Sequence, residues 1–295
     1  MKYKFRYLDG LDPIKQSSAL TLGSIVHSAF DMYYNQFPTE DVIRYIKNAV
    51  QMQVEGLHPE EQEDIQIVQY ISLGMFINYP INLIVFKEIK PELEFRVQLF
   101  DDVWFTGTVD GLVMDQNNKL WVREVKTTSQ AFPQFEKRAR TTAQGSGYIW
   151  AMRKLGFPVE GVMYDYIKKP LLRKGTNDTV DSFGTRICAD YHMRPDFYFK
   201  RHFSYRSNEQ MELFEQDLIG VAKEIQYRCK NNAWYRNPDQ CWNFNSECPY
   251  MKICFQKNPD PLTIQLYYKQ TNKQNKGENN VKRTGETAGR TEEAD

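Results

Sequence analysis

The chain is predicted to be α/β, with a central mixed β-sheet flanked by helices. Three observations point there. Val103–Met114 and Leu120–Thr127 are rich in β-branched and aromatic residues, and Asp115-Gln116-Asn117-Asn118 separates them as turn chemistry, so the stretch reads as a β-hairpin. A helical pattern over 133–155 followed by the apolar run 159–168 gives helix-then-strand alternation. Before the hairpin, the segment from Leu20 to Asn78 carries apolar residues at helical spacing.

In order along the chain, Lys2–Leu11 reads as the interior of an element with no cap before it. Leu20–Phe37 forms a helix through the stripe Ile25, Val26, Ala29, Phe30 and Tyr33, ended by Pro38, with Gly23 leaving room for close backbone approach. Thr39 is read as the cap of a second helix reaching Gly56, with Glu40 and Asp41 in its favourable first turn. Pro59–Asn78 makes a third, and residues 39–90 form a helical insertion covering one side of the sheet. Glu92–Phe100 alternates as a strand. After the hairpin come one long helix, Pro133–Leu155, closed by Gly156, and the strand Val159–Lys168. Pro170–Pro195 reads as an irregular surface excursion, and Phe197–Arg206 as a strand. Ser207-x-x-Gln210 is a capping box for a helix to Lys230. Residues 1–269 are read as a single domain, with a Cys-rich segment at 241–254 and a tail at 270–295 too poor in apolar residues to order.

Apolar residues make up 41% of the 295 and aromatics 14%, enough for a sizeable core. Lys plus Arg equals Asp plus Glu at 38 each, so any attraction to nucleic acid must be local. No run of 18 apolar residues and no signal-peptide pattern is present, so a cytoplasmic protein with no membrane partner is expected.

The chemistry centres on the hairpin. Glu124 and Lys126 flank Val125 and leave their strand on one face, and the hairpin carries Asp110, after Gly107-Thr108-Val109, alongside them. Two carboxylates and an ammonium on a half-buried surface call for a cation to complete the set. Mg²⁺ suits it, taking one or two carboxylates, a backbone carbonyl such as that of Val125, and waters. Glu-x-Lys alone reads first as a solvated ion pair on an exposed strand, with Asp110 an ordinary turn carboxylate; Gly107-x-x-Asp110 on the preceding strand shifts the balance. His27 is either a packed helix histidine or a neutral imidazole completing a metal shell. Gln144 and Tyr148 share a helix face at i and i+4. Glu94 lies on the polar face of its strand and is read as solvated.

The order Gly23-x-x-x-His27, Gly107-x-x-Asp110, Glu124-x-Lys126, Gln144-x-x-x-Tyr148 resembles the RecB-like, AddB-like exonuclease branch of the PD-(D/E)XK nucleases, over roughly Met1–Phe255. That branch includes CRISPR-adaptation and phage or prophage exonucleases. The resemblance implies a restriction-endonuclease-like core and a metal-dependent DNA exonuclease serving recombination, repair or phage DNA processing. By it, Asp110 and Glu124 bind Mg²⁺ or Mn²⁺ with His27 and the Val125 carbonyl, Lys126 positions the attacking water, and Gln144 and Tyr148 support the site and the DNA strand. The family pattern often has Asp at the Glu124 position. Alternatives are a flap nuclease or endonuclease, and a non-catalytic DNA-binding adaptor on the same fold. The substrate is DNA, single-stranded or duplex ends. No P-loop appears, so unwinding would come from a helicase or recombination partner.

Cys241, Cys248 and Cys254 crowd into fourteen residues with Pro and aromatics, and read as ligands of a [4Fe–4S] cluster or of zinc. Iron–sulfur members of the resembled family carry a fourth Cys ahead of the core, whereas none precedes Cys188 here. Either the start is internal, or the fourth ligand is lost or replaced, with Cys188 and Cys229 as substitutes. Candidate DNA contacts are Lys137, Arg138, Arg140, Lys168-Lys169, Arg173-Lys174 and Lys200-Arg201. Tyr198, Phe199, Phe203 and Tyr205 either stack bases or fill the core as alternating strand aromatics.

Overall fold

The computed structural model describes residues 1–14, 17–55, 57–79, 86–243 and 246–271. After a π-helical turn, Lys4–Leu8, its elements are β1 (Leu11–Pro13), α1 (Ser18–Tyr34), α2 (Thr39–Val54), α3 (Pro59–Ile77), β2 (Lys87–Phe100), β3 (Val103–Met114) and β4 (Leu120–Thr128). There follow α4 (Phe132–Ala139), α5 (Ala143–Lys154), β5 (Val159–Lys168), α6 (Val180–Met193), the single turn α7 (Pro195–Tyr198), β6 (Phe199–Tyr205) and α8 (Asn208–Asn231). Last come β7 (Trp242–Asn243), β8 (Ser246–Glu247), α9 (Met251–Cys254), α10 (Pro261–Tyr267) and β9 (Tyr268–Gln270). They divide into two compact units, Ser17–Ile225, and Met1–Gln16 with Gln226–Asp295.

The larger unit is built on a five-stranded mixed sheet in the order β2-β3-β4-β5-β6. β4 and β5 run parallel and the other neighbours antiparallel. β4 is therefore central, and Leu120 to Val125 are all buried, as expected of a strand covered on both faces. Alternation assigns its residues. Val125, with Ile167 and Phe199, faces a helical layer built from Ile25 and Phe30 of α1, Val42 and Ile46 of α2, Val68 and Met75 of α3, and Ile187 and Tyr191 of α6. Val122, with Val162 and Tyr166, faces Ile149 and Met152 of α5.

The structure departs from the sequence reading at several places. The helical insertion stops sooner, because β2 begins at Lys87 rather than Glu92. Pro38, not Thr39, occupies the cap position of α2. Gly23 admits no close neighbour: a Cβ there would meet nothing within 4 Å. The stretch read as a surface excursion holds α6, capped by Thr179, whose hydroxyl accepts the Ser182 amide at 3.1 Å. Its buried stripe Phe183, Ile187, Tyr191 has helical spacing, masked in the sequence by polar neighbours.

The single long helix is also broken, into α4 and α5. No Gly or Pro marks the break; tertiary hydrogen bonds do. The Ala139 carbonyl, which would continue the helix, instead accepts from Ser204 Oγ at 2.9 Å and Arg206 Nη2 at 2.8 Å. Arg206 Nε also donates to Ser146 Oγ at 2.9 Å, so one buried guanidinium holds both helices. The capping box forms as expected, with Gln210 N donating to Ser207 Oγ at 3.1 Å and Ser207 N to Gln210 Oε1 at 2.9 Å.

In the smaller unit β1 pairs with β9, antiparallel, over a core of Phe5, Tyr250, Ile253 and Tyr268. The Tyr250 hydroxyl donates to the Leu11 carbonyl at 2.8 Å. The tail read as disordered lies outside the described residues beyond Thr271. No helix among the described residues is long and apolar enough to cross a membrane.

Candidate active site

The hairpin opens where the chemistry gathers. The β3–β4 register runs from Met114↔Leu120 to Gly111↔Arg123 and goes no further. Asp110 stands at the mouth of this fork. Its carboxylate accepts the Val125 amide at 2.8 Å, doing for that N–H what a strand carbonyl would otherwise do. The same carboxylate meets His27 Nδ1, from α1, at 3.2 Å. On the α5 side, Glu124 is 1% exposed and ion-paired with Lys126. Gln144 Nε2 donates to Glu124 Oε1 at 3.0 Å and to the Tyr148 hydroxyl at 2.8 Å.

The site residues expected from sequence thus assemble as two linked sets, His27–Asp110 and Glu124–Lys126–Gln144–Tyr148, joined through Val125. Their charges act on one another. Burial, reinforced by the negative charge of Asp110, lifts the Glu124 carboxyl to about 7, against the pull of Lys126. Burial also opposes ionisation of Asp110, but His27, the Val125 amide and Lys126 outweigh it and hold that carboxyl below its ordinary range. Burial disfavours the charged His27 ring, yet Asp110 and Glu124 together raise its pKa.

A small cleft open to solvent adjoins Asp110 and is lined by His27, Asp31, Glu92, Asp110, Arg123 and Val125 among others. Burial and the charges of Asp31 and Asp110 raise the Glu92 carboxyl, which shares a hydrogen bond with Asp31. Glu124 Oε2 is buried and has no hydrogen-bond partner among the described residues. Glu124 does not line that opening; its buried, unpaired oxygen and the charged Asp110 carboxylate, which act on one another electrostatically, are the oxygen donors that would suit a hard divalent cation such as Mg²⁺ or Mn²⁺. Among the described residues, however, no three His, Cys, Asp or Glu side chains are already drawn together as a ligand shell.

Sequence reasoning missed the residues behind the fork. Arg123, 1% exposed, pairs with Glu88, donates from Nη2 to the Asp110 carbonyl at 2.6 Å and lies 3.3 Å from the centroid of the Tyr34 ring. A signal existed: Arg123 is a charge on the helix-covered face of an otherwise apolar interior strand. Asp165, beside Val125 in the register, is buried with Arg201 and the Tyr79 hydroxyl.

That pairing removes Arg201 from the candidate DNA contacts, and Tyr198 and Phe199 are core residues. Lys200 is engaged by Glu136 at 2.8 Å and Lys174 by Glu63 at 2.8 Å. Tyr205 is 58% exposed. Glu94 is exposed, as expected.

In the smaller unit Cys241, Cys248 and Cys254 are half-buried free thiols. The Cys248 amide donates to the Cys241 carbonyl at 2.7 Å. Burial raises the Cys254 thiol, with Cys248 and Cys241 adding to the effect. The three do not form a gathered metal shell. Cys188, considered as a fourth ligand, belongs to the helical layer of the larger unit, where its Sγ donates to the Tyr70 carbonyl at 3.4 Å.

A family model of the PD-(D/E)XK nuclease superfamily matches residues 1–255. No curated protein matches the chain.

Proposed function

The chain belongs to the PD-(D/E)XK nuclease superfamily, and from that premise we propose that it is a divalent-metal-dependent deoxyribonuclease that degrades DNA from an end, in recombination, repair or phage DNA processing. The observation that carries the reading is the fork at Asp110, where a charged carboxylate, the buried Glu124 with one oxygen unpaired, and the Lys126 ammonium lie within electrostatic reach.

Asp110, Glu124, His27 and the Val125 carbonyl would hold Mg²⁺ or Mn²⁺. When bound, the ion supplies Lewis-acid polarisation of the scissile phosphate and acidifies an attacking water. The chain's own groups do the rest. Lys126, ion-paired to Glu124 and 27% exposed, orients that water and offsets charge growing on the phosphate. Gln144 fixes Glu124 Oε1, and Tyr148 fixes Gln144. We read 1–269 as one nuclease domain, in keeping with a family match that runs over 1–255.

The Cys segment fits a [4Fe–4S] cluster incompletely. It supplies three thiols and no assembled shell among the described residues.

The test is digestion of end-labelled single- and double-stranded linear DNA, and of circular DNA, in Mg²⁺ or Mn²⁺ by wild type and Lys126→Ala. An exonuclease removes nucleotides from linear ends and spares circles. Cutting of circles supports the endonuclease reading. Absence of cutting by wild type with intact DNA binding supports the adaptor. Equal activity in Lys126→Ala overturns the site assignment.

A further inference from the structure

The fork at Asp110 is held from behind by a charged group that no motif of the sequence draws attention to. Arg123 precedes Glu124 on β4 and therefore projects from the opposite face. It is among the largest fully buried side chains of the protein. Its Nη2 donates to the Asp110 carbonyl at 2.6 Å, its Nη1 pairs with Glu88 of β2, and Tyr34 of α1 covers its flat face at 3.3 Å. The register of β2 on β3 slips between Glu88 and Lys90, an irregularity of the kind that re-aims a side chain.

Resting on the reading of the site given above, we propose that Arg123 is a positioning residue, whose guanidinium fixes the Asp110 backbone against the strand bearing Glu124 and so sets how the two carboxylates share a divalent cation. Asp110 is then gripped at both ends by the residues that flank Glu124. Val125 takes its carboxylate at 2.8 Å and Arg123 its carbonyl. Because the β3–β4 ladder ends at Gly111↔Arg123, no further rung of that ladder ties Asp110 to β4, although Val109 and Gly111 on either side of it pair with Leu93 and Pro91 of β2.

Two observations set this apart from incidental burial. Burying an Arg to pair it with a half-buried Glu is a poor way to gain stability, since apolar side chains of similar volume do as well or better. And the guanidinium constrains its neighbour. A Cβ on Gly111 would lie 2.6 Å from Arg123 Nη2 and 2.8 Å from Glu88 Oε1. The ion pair occupies the space any side chain at 111 would need.

The test uses Mn²⁺ alone as probe, titrated calorimetrically into the full chain without DNA, together with cleavage rates against Mn²⁺ and against DNA concentration. Arg123→Met keeps much of the volume and loses the donors. It is expected to remain folded by circular dichroism, to bind Mn²⁺ about 10-fold or more weakly, and to lose kcat while KM for DNA stays put. Arg123→Lys, which keeps one charged donor, recovers part of the loss. A folded Arg123→Met with wild-type Mn²⁺ affinity overturns the proposal. Should Arg123→Met not fold, Glu88→Gln decides. Weaker Mn²⁺ binding in a folded Glu88→Gln supports the proposal, and unchanged binding overturns it. Asp110→Asn is the control for the site itself. If it binds Mn²⁺ as wild type does, the site reading fails, an outcome distinct from Arg123 alone being dispensable.

Discussion

Asp110 and Val125 are joined by a hydrogen bond from the Val125 amide to the Asp110 carboxylate, 2.8 Å long. The bond ties one carboxylate of the candidate site to the backbone of the strand carrying the other. A residue expected merely to face Glu124 is built into that strand's hydrogen bonding, so the separation of the two acids is set by backbone geometry.

Asp110→Asn keeps an oxygen for the Val125 amide while removing the charge. The fold should survive, and DNA cleavage should fall by at least about 100-fold, the upper end of what supporting groups of a metal site contribute. Thermal melts give the second readout. At 100 times its dissociation constant, Mg²⁺ or Mn²⁺ should stabilise wild type by about 2.7 kcal/mol. The Asn variant should melt at the same temperature with or without the ion, and EDTA should abolish the ion-dependent shift of wild type.

Glu124 carries a raised carboxyl, about 7 when folded. Between its unfolded value and that one, the native state holds a proton that the unfolded state releases. Metal-free stability due to Glu124 is therefore greatest at acid pH and declines as pH rises through this window, by at most about 1.4 kcal/mol per pH unit. Glu124→Gln should flatten that decline in denaturant titrations run from pH 5 to 8, while cleaving DNA at no pH. A variant as steeply pH-dependent as wild type would remove Glu124 as the source.

Gln144 and Tyr148 act in series. Gln144→Ala frees Glu124 Oε1 from its 3.0 Å donor and should lower kcat by about 10-fold to 100-fold. Tyr148→Phe removes only the hydroxyl that receives the Gln144 amide, so its effect should be smaller than that of Gln144→Ala. The double variant should resemble Gln144→Ala; independent effects would multiply instead.

Ile187 of α6 is fully buried among α3 and the sheet. Ile187→Ala should cost about 2 to 5 kcal/mol in urea unfolding, with the metal dependence of cleavage unchanged below the transition. A surface excursion, the sequence reading of this stretch, would instead tolerate the change within about 0.5 kcal/mol.

Legibility in the sequence followed the range of the interactions. Alternation and turn residues located both arms of the hairpin, and i, i+4 spacing put Gln144 and Tyr148 on one face, because these patterns are local. The capping box at Ser207 was equally plain, being closed within four residues. The break between α4 and α5 was invisible, since the Ala139 carbonyl is taken by Ser204 and Arg206, more than sixty residues away. Arg201 looked available to DNA until Asp165 claimed it, and Tyr198 and Phe199, open in the sequence to base stacking or to the core, are taken by the helical layer.

By itself the sequence determined the α/β class and both arms of the hairpin, and its spacing singled out Asp110, Glu124, Lys126, Gln144 and Tyr148 as candidates. Periodicity and spacing fix which face a side chain leaves by. Only the tertiary structure decided how those faces meet: that the ladder ends at Gly111, that Asp110 takes the Val125 amide, and that Arg123 lies buried behind it, paired with a half-buried Glu88. A buried charge is defined by its partners, and here those partners come from strands and helices far apart in the chain.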